Sequence, residues 1–191
     1  MGDASKRAKR VLLCACGGFQ VYGLPGFVLA LLKHVTDDVQ VVLSRAAARL
    51  TSPYAVEVAS RHKVYIELDD HGPEAWVPHI ELSRQADLVL VYPATVNVIG
   101  KVAGGIADEL IPAIVLASEA PVFFVPITNP KMWGHSAVQR NVTFLRESGH
   151  AVLAPLPNIE IATREGLEAA DEPFPYPTLL AQMRSAIRAR D

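Results

Sequence analysis

Four stretches of the chain place small or neutral hydrogen-bonding residues directly after an apolar run. Gly17-Gly18-Phe19 follows VLLCAC, Ser44 follows VQVVL, Pro93-Ala94-Thr95-Val96-Asn97 follows DLVLVY, and Pro126-Ile127-Thr128-Asn129 follows PVFFV. Glycines at such a junction let backbone N–H groups approach a phosphate at the start of a helix. The hydroxyls of Ser44 and Thr95 and the amide of Asn97 can hydrogen-bond a phosphate or the edge of a heterocycle. Together these groups suit a neutral ring system carrying a phosphate. Each also has a plainer reading: a tight turn for Gly17-Gly18, and helix N-caps for Ser44 and Thr95. The glycines match neither G-x-G-x-x-G nor a Walker A loop.

His79, in Trp76-Val77-Pro78-His79-Ile80-Glu81, sits where a loop meets a helix. Its ordinary pKa near neutrality suits acid–base work, although an isolated histidine is more often structural. The neutral amide of Asn129 can grip a carboxylate. Met132 and Trp133 can pack on a ring or a substrate side chain, with core packing as the default for both. The other histidines (His34, His62, His71, His135 and His150) show no metal-ligand spacing, and no HExxH or CxxC occurs, so no metal is expected. No G-x-S-x-G elbow is present, which weakens a hydrolase reading.

The elements that must position these residues follow from periodicity. Val11–Cys16, Val39–Leu43, Asp87–Tyr92, Pro121–Val125 and Ala151–Ala154 read as strands, with Val64–Leu68 as a further one. Continuous rather than alternating hydrophobicity predicts strands buried on both faces, as in a parallel sheet. Helical patterns lie at Leu24–Lys33, Tyr54–Arg61, Glu81–Gln85, from Val96, at Ile114–Ala117, at Ala137–Ser148 and at Thr178–Ala189. Strands alternating with helices predict an α/β fold built on a doubly wound parallel sheet, Rossmann-like or flavodoxin-like, in a single domain over 1–191. In such sheets ligands sit beyond the carboxyl ends of the strands, where the four stretches fall. Residues 1–10 read as a disordered tail. The segment 155–177 holds Pro155, Pro157, Pro173, Pro175 and Pro177 with little periodicity, and reads as a Pro-rich flap over a site.

Composition narrows the class. The chain has 191 residues, half of them hydrophobic and a fifth charged, enough to bury a core. A net charge of −2 lacks the cationic excess expected of a nucleic-acid binder. No apolar run reaches the ~20 residues of a membrane span. Two cysteines, Cys14 and Cys16, are too close along one strand to pair, which points to a reducing, cytoplasmic setting.

The order and spacing of the motifs go further. Pro93-Ala94-Thr95-Val96-Asn97 with Ile99-Gly100-Lys101-Val102-Ala103-Gly104-Gly105-Ile106-Ala107-Asp108, and Pro126-Ile127-Thr128-Asn129-Pro130-Lys131-Met132-Trp133, resemble the P-A-S-A-N-x and P-x-M-N-x-x-M-W patterns of the homo-oligomeric flavin-containing cysteine decarboxylases. The resemblance runs from about Val11 to Ala154. His79, ahead of the first motif, has the place of that family's active-site histidine. The resemblance implies an oxidised flavin, FMN with FAD as the alternative, held by Gly17, Gly18, Phe19, Ser44, Pro93, Ala94, Thr95 and Asn97. It implies a substrate carboxylate on Asn129, with Met132 nearby, and a trimer or a dodecamer built as a tetramer of trimers. The chain departs from the pattern at Thr128, where the family has Met, at Thr95 and Val96, and at Gly18.

Within the family, phosphopantothenoylcysteine decarboxylase is implied to need a cysteine in its flap, and here none follows Cys16. The flap Asn158–Gly166 looks more like the substrate clamp of the peptide decarboxylases. Its main chain could pair with an extended peptide, with Thr163 and Arg164 at the substrate; Arg164 reads equally well as a solvated charge. The resemblance therefore implies oxidative decarboxylation of the C-terminal cysteine of a ribosomally made precursor peptide, leaving an enethiol for an aminovinyl-cysteine bridge. The rival readings are phosphopantothenoylcysteine decarboxylase, a non-catalytic flavoprotein subunit, and a flavin prenyltransferase.

Overall fold

The computed structural model of the protein describes residues 8–70 and 76–155. The flap beyond Pro155, Thr163, Arg164 and the predicted helix Thr178–Ala189 lie outside the described residues. Five parallel strands form one sheet in the order β2-β1-β3-β4-β5. They are β1 (Ala8–Ala15), β2 (Thr36–Leu43), β3 (Leu88–Ala94), β4 (Val122–Pro126) and β5 (Ala151–Val152). Parallel neighbours need crossovers, and helices supply them. These are α1 (Leu24–His34) after β1, and α2 (Arg45–Ala48), α3 (Pro53–Ser60) and α4 (Pro78–Gln85) after β2. After β3 come α5 (Val96–Ala103) and α6 (Leu110–Ala117), and after β4 come α7 (Pro130–Trp133) and α8 (Ser136–Glu147).

Side-chain alternation along each strand divides the interior into two cores. Val11, Leu13 and Ala15 of β1, with Leu88, Leu90 and Tyr92 of β3 and Phe123 and Val125 of β4, pack with α1 and α3. Leu12, Cys14, Val89, Val91, Val122 and Phe124 face the other way, against α4, α5, α6 and α8. Every residue of β3 and β4 is buried, which accounts for their unbroken hydrophobicity in sequence. Full burial of side chains such as Phe123 or Leu90 contributes about 1.5–3 kcal/mol each.

Three expectations change. Val64–Leu68 is not a strand; only Tyr65 bridges Val42. The Asp70 carboxylate accepts from the backbone N–H groups of Ile66 (2.6 Å) and Glu67 (3.0 Å), so the chain turns there instead of extending the ladder. The predicted tail is too long, because Ala8–Arg10 already belong to β1. The helix expected at Glu81–Gln85 starts earlier, with Pro78 in its first turn, and His79 stands in that turn at the loop–helix junction.

Arg10 and its partners tie the amino-terminal ends of three strands together. Its Nε donates to Asp38 Oδ2 (2.6 Å), its guanidinium reaches Gln85 Oε1 (2.6 Å), and its backbone N–H donates to Asp87 (2.7 Å). His62 Nε2 lies 2.5 Å from the other oxygen of Asp38. Partial burial alone would raise the Asp38 pKa, but the hydrogen bonds from Arg10 and His62 outweigh it and hold the carboxyl below its ordinary value. A carboxyl depressed in the folded state contributes stability above its unfolded pKa of about 4, and that contribution is lost as pH falls through the folded value. Asp38→Asn is expected to cost about 1–3 kcal/mol at neutral pH and to flatten the acid limb of the stability–pH curve, measured by urea unfolding.

Candidate active site

A cavity of about 300 Å³ opens at the carboxyl end of the sheet. Its walls come from the ends of three strands and from two crossover segments: Cys16 and Gly17 after β1, Ser44–Ala46 after β2, and Ile66–Asp69. Thr95, Asn97 and Val98 line it after β3, with Asp108–Pro112 ahead of and within α6. Gly17, Ser44, Thr95 and Asn97, widely separated in sequence, are thus brought to one space.

Backbone hydrogen bonds continue the ladder past the strand ends and hold these loops in register. Cys16 N donates to Pro93 O (3.1 Å), Ser44 N to Ala15 O (2.9 Å), and Ile127 N to Ala94 O (3.0 Å). The glycines permit the close fit. A Cβ on Gly17 would stand 2.6 Å from Ala46 Cβ, and one on Gly18 2.9 Å from Pro93 Cβ. The Tyr92-Pro93 peptide is cis, and Pro93 and Ala94 complete β3 rather than following it.

The capping roles of Ser44 and Thr95 are real and coexist with their place on the cavity. Ser44 Oγ accepts from Ala47 N (3.1 Å) and Thr95 Oγ1 from Val98 N (3.4 Å). A hydroxyl that accepts from the backbone still has its own proton to donate. Asn129 caps α7, its Oδ1 accepting from Lys131 N (2.8 Å). Asn129 and Met132 sit at the end of β4 and do not line the cavity. Phe19 is also outside it, 48% exposed and packed at a tilt against Tyr22, 5.0 Å between ring centroids.

His79 lies in the first turn of α4 and is not among the residues lining the cavity. Its Nδ1 is buried and, among the described residues, makes no hydrogen bond. The Thr128 hydroxyl and the Trp76 Nε1–H are buried in the same condition. Buried groups left unpaired in a native fold call for a partner such as water or a ligand.

Several lining residues carry no sequence signal. Arg45 forms a bidentate pair with Glu67, Nε to Oε1 at 2.7 Å and the terminal nitrogen to Oε2 at 2.6 Å. Lys101 Nζ lies 2.9 Å from Asp108 and 3.0 Å from Glu109, so one cation is shared by two wall carboxylates, and Asp69 adds a further one beside Glu67. Cys16 forms part of the floor, and burial pushes its thiol up to about 12. Cys14, also fully buried, is raised as well.

A mixed wall of small backbones, hydroxyls, an amide and apolar Val98, Leu110 and Ile111 suits a planar ring with a polar tail. The glycine cradle at Gly17 leaves the backbone open to a phosphate beside the Ser44 hydroxyl. The residues therefore fit a flavin nucleotide.

A family model described as Flavoprotein matches residues 3–174. Over 147 residues the chain is 37% identical to the coenzyme A biosynthesis bifunctional protein CoaBC of Bacillus subtilis, covering 77% of this chain and only 36% of that protein. It is 33% identical over 157 residues to the mersacidin decarboxylase of Bacillus sp. strain HIL-Y85/54728, covering 81% and 79% of the two chains. The crystal structure of the FMN-dependent cysteine decarboxylase SpaF superposes with a TM-score of 0.72 at 31% identity, over 86% of this chain and 98% of that one.

Neutral, desolvated thiols are poor nucleophiles. Cys14 and Cys16 should resist a disulfide reagent at neutral pH in the folded protein and react together on unfolding, as followed by absorbance of the released thiolate. Gly17→Ala should cost about 1–3 kcal/mol through the clash with Ala46, seen as a lower melting temperature.

Proposed function

Because the chain belongs to the Flavoprotein family, we propose that it is a flavin-dependent enzyme that oxidatively decarboxylates the C-terminal cysteine of a ribosomally made peptide. In this reading Gly17, Gly18, Phe19, Ser44, Pro93, Ala94, Thr95 and Asn97 hold the flavin, as FMN rather than FAD. When bound, the flavin supplies a two-electron acceptor for hydride from the cysteine Cβ. The Asn129 NH2 donates to the peptide carboxylate and sets the orientation of the leaving carbon dioxide. Met132 packs on the substrate, and Thr163 and Arg164 hold the peptide chain. His79 takes up or positions the thiol proton, and its unpartnered Nδ1 supports that role.

The observation that carries the choice of substrate is the lack of any cysteine from residue 17 to residue 191. The redox-neutral phosphopantothenoylcysteine reaction, as the family resemblance implies it, calls for a flap thiol to return a proton. The identity to CoaBC keeps that reaction as the second reading, and a catalytically silent flavoprotein subunit as the third. Exposed Phe19 and Met132, together with the absence of His79 from the cavity lining, favour a homo-oligomer with sites at subunit boundaries, a trimer or a dodecamer. No helix among the described residues is long and apolar enough to cross a membrane, and we place the enzyme in the cytoplasm.

Short peptides ending in cysteine, incubated aerobically with the protein, should lose carbon dioxide and two hydrogens by mass spectrometry. Turnover of 4′-phosphopantothenoylcysteine alone, without oxidation, would select the second reading, and turnover of neither the third. His79→Asn should lower turnover by about 100-fold or more while the protein stays yellow. Full activity in that variant removes His79 from the reaction.

A further inference from the structure

The Arg45–Glu67 ion pair joins two of the segments lining the cavity. Arg45 stands on the β2–α2 junction and Glu67 on the loop after Tyr65, 22 residues further along the chain. The Arg45 side is a fixed post: Ser44 N is bonded to Ala15 O, and Ser44 Oγ caps α2. The Glu67 side is an arm that leaves the sheet at the one bridge between Tyr65 and Val42 and is folded back by the Asp70 carboxylate. Between post and arm the guanidinium and carboxylate meet in a fork at 2.7, 2.9 and 2.6 Å. Side-chain exposures of 73% for Arg45 and 37% for Glu67 put the pair on the solvent side of the cavity rather than on its floor.

We propose that the Arg45–Glu67 pair is a strap across the mouth of the flavin cavity, and that its opening sets the rate at which the cofactor enters and leaves. The proposal rests on the flavin reading above. A strap of this kind acts on the barrier to exchange more than on the bound state, so it slows entry and exit together. An exposed fork-shaped ion pair stabilises the closed arrangement modestly, and salt weakens it. Glu67 and Arg45 are each other's partners, so removing either opens the strap. A direct cofactor ligand behaves differently, because loss of Arg45 and loss of its competitor Glu67 then act in opposite senses.

The test is stopped-flow and dilution measurement of flavin exchange, read by recovery of flavin fluorescence, on the full chain. Arg45→Met and Glu67→Gln are each expected to raise both association and dissociation rates by about threefold to fivefold, with Kd nearly unchanged. High salt should raise the wild-type rates similarly and leave the variants nearly unmoved. The charge-swapped double variant Arg45→Glu/Glu67→Arg should return the slow exchange, which separates loss of the strap from loss of folding. Unchanged rates in both single variants overturn the strap while leaving the flavin reading intact. Faster loss in Arg45→Met with slower loss in Glu67→Gln also overturns it, and makes Arg45 a cofactor ligand. A protein that takes up no flavin at all overturns the reading on which the strap depends.

Discussion

In a parallel sheet covered on both faces, the middle strands have no side of their own that meets water. β1, β3 and β4 are built in that way, with one set of alternate residues against α1 and α3 and the other against α4, α5, α6 and α8. Polar side chains in those strands would have to be buried without partners, at about 1–3 kcal/mol each. Hydrogen-bonding chemistry is thereby driven to the places where the strands end. The ladder does not stop abruptly there. The bonds from Cys16 to Pro93, Ser44 to Ala15 and Ile127 to Ala94 each run it one residue beyond a strand end. Loops that would otherwise move independently leave the sheet at fixed spacing, and the cavity wall inherits that spacing.

Close backbone approach is the second requirement. Gly17 lies so near Ala46 that the β1 and β2 loops pack as two backbones with one methyl between them. The cavity keeps short-range hydrogen-bonding groups on one wall as a result. Elsewhere on the lining Glu67 pairs with Arg45, Asp108 and Glu109 share Lys101, and Asp69 adds a fourth carboxylate.

The residues assigned to substrate and catalysis are not among those lining that cavity. His79 projects from α4, and Asn129 caps the short α7 at the end of β4. In the homo-oligomer proposed above, one copy contributes the cofactor wall and another the groups that handle the substrate. The buried, unpaired atoms of His79, Trp76 and Thr128 are then groups awaiting partners rather than defects of packing.

Sequence alone determined the strands, the doubly wound parallel arrangement and the four loop motifs. Unbroken apolar runs and glycine, serine, threonine and asparagine at their ends are local signals of burial and of turn chemistry. It also marked Gly17, Ser44, Thr95 and Asn97, which meet at one cavity. Tertiary structure decided what local pattern cannot carry. Val64–Leu68 has the look of a strand, yet Asp70 captures the N–H groups a ladder would have used. Arg10 reads as tail, yet Asp38 and Asp87 draw it into β1. Arg45, Glu67 and Glu109 belong to none of the sequence motifs, and only the fold sets them around one space with Asp108. An ion pair between residues far apart in the chain leaves no periodic trace in the sequence, because it depends on where two loops end, and that is fixed by the sheet between them.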